Sequence, residues 1–147
     1  MKKPSEQAYL PDVNVLIALV EQQHVGHQAA MLWRRQSENA KIYLCPLTES
    51  GFVRLMASPH VGGCTPGVAL ALLREIRKLH NFSHLPIQSS FLDLISPFSS
   101  RLHGYRQVTD ALLLGLAIQN NATLVTLDRG VKALAGEPFA ANLLTLG

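Results

Sequence analysis

Short apolar runs alternate with longer segments of helical periodicity along this chain, and that alternation is what most restricts its fold. Strand, helix and strand in regular succession argue for a parallel sheet of about four to five strands, with crossover helices on both faces. Ala8-Tyr9-Leu10 reads as a first strand ending at Pro11-Asp12. Lys41–Cys45 reads as a second, stopped by Pro46, and His84–Ile87 as a weak third. Ala122–Leu127 is the clearest strand, closed by Asp128-Arg129-Gly130, and Asn142–Leu146 is a last edge strand.

The intervening segments carry helix signals. Val13–Glu21 is an apolar helix start, continued after His24 by an amphipathic helix to about Glu38. Thr48–Ala57 is helical, and Pro66 suits the first turn of a helix running to His80. Ser90 with Asp93 has the spacing of a capping box, and Ser96-Pro97 opens a further helical stretch. Thr109 caps a helix from Asp110 to about Gln119, apolar nearly all round and so central. The turn Asn120-Asn121 follows it.

At 147 residues the chain can bury a substantial α/β core. Residues 1–147 read as one domain, because no repeat, low-complexity tract or Ser/Pro linker divides them. A hydrophobic content of 48% excludes disorder. The longest apolar stretch, Ala111–Ile118, is too short to span a bilayer. Met1–Gln7 has lysines but no apolar region behind them, so no signal peptide is read. Cys45 and Cys64 make no metal-type pair, and the expected compartment is the cytoplasm. A net charge of +3 permits an anionic partner without requiring one.

Four carboxylates stand where strands end or helices begin: Asp12, Glu49, Asp110 and Asp128. A helix following a strand runs back antiparallel to it. Helix starts and strand carboxyl ends therefore share one edge of the sheet, where open α/β folds bind ligands. Asp110 and Asp128, 18 positions apart, open a helix and close the strand that returns from it. Two carboxylates about 4 Å apart repel by roughly 4 kcal/mol at an effective dielectric near 20. Such a cluster must take up protons or a cation. An all-oxygen set suits Mg²⁺ or Mn²⁺, and such an ion in a basic protein points to phosphodiester chemistry. Each acid also has a plain structural reading. Asp12 can start a turn and cap a helix, Glu49 and Asp110 can be first-turn helix charges, and Asp128-Arg129-Gly130 can be an ordinary turn.

The segments Leu10-Pro11-Asp12-Val13-Asn14, Thr48-Glu49-Ser50, Val108-Thr109-Asp110-Ala111 and Leu124-Val125-Thr126-Leu127-Asp128-Arg129-Gly130 resemble, in that order, the motifs of the PIN-domain family and its VapC-type toxin ribonucleases. The resemblance runs from about Tyr9 to Leu146. It implies a Mg²⁺- or Mn²⁺-dependent endoribonuclease, the toxin of a type II toxin–antitoxin pair, with a cognate antitoxin and a homodimer. Asp12, Glu49 and Asp110 match the core acids and Asp128 the fourth. Asn14 matches a small polar residue that holds the first acid, and Thr126 a polar neighbour of the site. Water as nucleophile implies a 5′-phosphate and a 3′-hydroxyl.

Arg101, Tyr105 and Arg106, just ahead of Asp110, and Arg129, beside Asp128, are candidates for RNA contact. Tyr105 can stack a base and the arginines can neutralise phosphates. The competing readings are a solvated loop for the first group and an ion pair with a neighbouring acid for Arg129. A non-catalytic module that keeps the fold and binds RNA or protein is the alternative function. Phosphate-handling α/β enzymes fit poorly. No Asp follows His84–Ile87, as a phosphotransfer receiver needs, and Asn14 stands where a dehalogenase-like phosphatase needs a second Asp.

Overall fold

A computed structural model describes residues 7–147; the N-terminal reading, apart from Gln7, lies outside them. Five parallel strands form one sheet in the order β3-β2-β1-β4-β5. They are β1 (Ala8–Pro11), β2 (Lys41–Leu44), β3 (Phe82–His84), β4 (Thr123–Thr126) and β5 (Leu143–Thr145). The helices are α1 (Val13–Val20), α2 (His27–Gln36), α3 (Pro46–Met56), α4 (Pro66–Arg77), α5 (Phe91–Ile95), α6 (Val108–Gln119) and α7 (Val131–Ala135). Among the described residues no helix is long and apolar enough to cross a membrane.

Alternation along the strands feeds two cores, one on each face of the sheet. Leu124 enters a core with Leu94, Phe98, Leu113, Leu114 and Leu134 from α5 to α7. Its neighbour Val125 enters the opposite core with Leu16, Trp33, Phe52 and Ile76 from α1 to α4. The same split separates Leu143 from Leu144. Helix α6 carries five consecutive buried positions, Leu113 to Ala117, which explains its apolar circumference.

Strand order reverses between β1 and β4. β2 and β3 lie to one side of β1, whereas β4 and β5 lie to the other. A crevice opens at the carboxyl ends of strands that diverge in this way. Asp12 follows β1 there, and Asp128 lies just beyond β4.

Several boundaries differ from the sequence expectation. Pro46 does not merely stop β2; it occupies the first turn of α3, where its missing N–H costs nothing. Cys45 is consequently the cap of that helix rather than strand, buried and with its N–H donated to Thr48 Oγ1 at 3.2 Å. The third strand lies at Phe82–His84, not His84–Ile87. Phe82 is the buried apolar anchor and pairs with Ile42. One more bond, from Leu85 N to Leu44 O at 2.7 Å, extends the ladder before Pro86, which has no N–H, ends it. Helix α6 begins at Val108 because a 3-10 turn over Tyr105–Gln107 runs directly into it. Thr109 therefore lies inside the first turn and is not the cap.

Candidate active site

Asp12 is the buried centre of the carboxyl edge, 7% exposed. Its Oδ1 accepts the Val15 N–H at 3.0 Å, so it caps α1 as the plain reading of the sequence allowed. Its Oδ2 accepts the hydroxyl of Thr126, at the end of β4, at 2.5 Å. Thr126 Oγ1 in turn accepts the Asp128 N–H at 3.0 Å, and Asp128 Oδ1 accepts the Gly130 N–H at 2.8 Å. A continuous chain of hydrogen bonds thus ties the end of β1 to the turn after β4. Asn14 assists through its backbone N–H, which favours the ionised Asp12. Its side chain is exposed and makes no hydrogen bond among the described residues, so the expected side-chain support is supplied by the main chain.

Asp110, in the first turn of α6, completes a group of three carboxylates that sense one another. Burial, then the charges of Asp12 and Asp128, push its carboxyl up to about 6. Burial is also the main cause raising Asp12; the Thr126 and Val15 hydrogen bonds oppose it, and Asp128 adds to it. No salt bridge reaches any of the three among the described residues. Asp110 and Asp128 line a cavity of about 110 Å³ together with Arg106 and Gln107.

Glu49 is placed differently. It sits in the first turn of α3, and its Oε1 lies 3.9 Å from His84 Nδ1 at the end of β3. Asp12, Asp110 and Asp128 thus act on one another, and Glu49, at the same edge, lies beside His84. His84 escaped the sequence reading, which placed it at the start of a strand instead of its carboxyl end; the signal available was Phe82 two positions earlier.

The surrounding candidates also separate. Arg106 lines the acidic cavity, and its guanidinium lies 5.7 Å from the ring of Tyr105, which is 82% exposed. Arg101 points elsewhere. Its Nη1 donates to Ala135 O at 3.3 Å and ties down the end of α7. Arg129 is exposed and lines an adjacent cavity.

The donor set suits a hard cation. The three coupled groups offer oxygen alone, without thiolate or imidazole, and form no salt bridge among the described residues. Among the described residues no three Asp, Glu, His or Cys side chains form a ready-made cage. Mg²⁺ tolerates this, since it binds through one or two carboxylates and keeps several waters, whereas a structural zinc site needs a closed set of four ligands.

Residues 9–137 match the PIN domain family. The chain belongs to the PIN-domain family. Within it, this PIN protein is similar to ribonuclease VapC38 of Mycobacterium tuberculosis (strain ATCC 25618 / H37Rv), 39% identical over 128 residues covering 86% of this chain and 89% of that protein. Ribonuclease VapC44 of the same strain is 35% identical over 134 residues, 90% of this chain and 94% of the relative. This is the VapC-type branch of the PIN family. The fold matches that in the crystal structure of VapBC2 from Rickettsia felis bound to a DNA fragment from their promoter, with a TM-score of 0.70 at 12% identity, over 96% of this chain and 100% of that one.

Thr126 offers a direct test of how the PIN site is held together. Thr126→Val keeps the shape but removes the donor to Asp12 and the acceptor for the Asp128 N–H. A loss of about 1–3 kcal/mol is expected for leaving such buried groups unpaired. Urea denaturation measures it, and Thr126→Ser, which retains the hydroxyl, should recover most of the loss.

Proposed function

We propose that this chain is a metal-dependent endoribonuclease and the toxin of a type II toxin–antitoxin pair. The observation that carries the reading is the group Asp12, Asp110 and Asp128 at the β1/β4 switch point, coupled in charge and unneutralised. Asp12 and Asp110 would be the direct ligands of a Mg²⁺ or Mn²⁺ ion, with Asp128 and Glu49 acting through water or at a second ion. Such an ion, when bound, acidifies a water and offsets charge on a phosphate undergoing in-line displacement. Thr126 and the α1 amides keep Asp12 in one orientation. The turn amide of Gly130 does the same for Asp128. Arg106, beside them, is placed to meet the RNA backbone, and Tyr105 presents a ring on which a base can stack.

The substrate is RNA and the inhibiting partner a cognate antitoxin, in keeping with the names of the relatives. A homodimer, a cytoplasmic location and a single domain over 1–147 complete the reading. An RNA cleavage assay tests it. Cleavage should require Mg²⁺ or Mn²⁺, stop with EDTA, resume on adding the metal back, and leave 5′-phosphate ends. Cleavage that continues under chelation rules out the mechanism. RNA binding without turnover under any divalent metal would identify a non-catalytic module instead.

A further inference from the structure

The turn after β4 contributes residues to two cavities. Asp128, Gly130 and Val131 face the acidic one, with Asp110. Arg129 and Lys132, interleaved with them in sequence, line a second cavity of about 300 Å³ together with Thr145 at the end of β5 and with Leu146 and Gly147 beyond it. Both cations are exposed, and neither forms a salt bridge among the described residues. The Gly130 amide bond to Asp128 Oδ1 fixes the turn between the two sides. Adjacent strands stand about 4.8 Å apart, so the second cavity lies one strand over from the end of β4.

An RNA threaded past three carboxylates brings phosphates that they repel. Cations next to the cluster, aimed away from it, offset that repulsion without neutralising the acids themselves. We propose that Arg129 and Lys132 form a phosphate subsite that holds the RNA backbone on the β5 side of the scissile group, a reading that rests on the ribonuclease assignment. The RNA strand then runs along the carboxyl edge of the sheet, across β4 and towards β5. Substrates need at least one phosphate beyond the cut on that side.

Lys132→Gln tests the subsite in two ways. The first is binding of a short fluorescent single-stranded RNA to Asp110→Asn protein, with and without Lys132→Gln, over a range of salt. Affinity should fall about 3–10-fold, and the slope of log affinity against log salt should flatten by about 0.7 for each phosphate no longer neutralised. The second is cleavage by the otherwise native protein, where the loss should be carried by KM more than by kcat and be recovered by Lys132→Arg. An unaltered salt slope and KM in a variant that still cleaves overturns the subsite and leaves the ribonuclease reading standing. A loss confined to kcat overturns it as well. Intact RNA binding with weakened binding of a poly-glutamate peptide would assign the cavity to a protein partner and overturn it. Failure of the parent proteins to bind or cut RNA at all removes both readings together.

Discussion

Asp110→Asn is expected to lower metal-dependent RNA cleavage by at least about a hundredfold, the scale of a lost electrostatic group in an active site, and at the same time to stabilise the metal-free protein at pH 7. The two effects share one cause. Burial and the charges of Asp12 and Asp128 raise the Asp110 carboxyl to about 6 from its ordinary 3.8. The folded state thus holds its proton more tightly than the unfolded chain does. Stability contributed by this group is full below about pH 4, declines as pH rises to about 6, and is lower by a constant amount above that. Asparagine removes the decline. After discounting for partial exposure, the gain at pH 7 is about 1–2 kcal/mol, or a few degrees in Tm. It should vanish near pH 4. Mg²⁺ should raise the Tm of the native protein more than that of the variant, because ligand binding to the folded state adds stability by mass action. Paired thermal melts at pH 4 and pH 7, with and without Mg²⁺, check each part. A metal-free variant that melts lower than the native protein at pH 7 would mean that Asp110 serves α6 as a structural first-turn charge and little else.

Gly115→Ala should be the most damaging single methyl added to this fold. Gly115 lies in the middle of α6, and a Cβ there would stand 2.1 Å from the carbonyl oxygen of Leu94 and 2.8 Å from its carbonyl carbon. Those are main-chain atoms of α5 and cannot rotate away. The helices must separate, opening the core that holds Leu94, Phe98 and Leu114. Alanine favours a helix over glycine by up to about 1 kcal/mol, but overpacking of this kind costs roughly 3 kcal/mol and wins. Gly67→Ala is the control. It lies in α4, its Cβ would meet nothing nearer than Thr65 Oγ1 at 3.9 Å, and it should be neutral or stabilising by about 0.5–1 kcal/mol. Denaturation midpoints of the two variants should move in opposite directions or differ by most of the expected loss. Since α6 also carries Asp110, Gly115→Ala should lower cleavage too, even at temperatures where the protein remains folded.

What the sequence could and could not reveal follows from the range of the interactions involved. The parallel sheet was legible because strand and helix periodicities are local, and β4, bounded by Asn121 and Asp128, carries both its turn signals. Asn121 indeed adopts a positive φ of 54°. The convergence of Asp12, Asp110 and Asp128 was legible because the direction of each crossover helix places helix starts with strand ends. Lateral position along the edge was not legible. Glu49 follows β2 in α3, and its contact with His84 depends on which strand lies beside β2. The displaced third strand concealed it. Arg101 likewise lies close to Asp110 in sequence, yet an intervening 3-10 turn swings it to the end of α7. Lys132 has nothing in its local sequence to set it apart from ordinary helix surface; only the return of the chain into β5 brings Thr145 to the cavity it lines.

The Thr126–Asp12 contact joins residues 114 positions apart. A growing polypeptide has made the first aspartate long before it makes the hydroxyl that orients it; one edge of β1 can pair with β2 early, but the other waits for β4. The carboxylate at the end of β1 therefore takes its final orientation only once β4 has been added beside it.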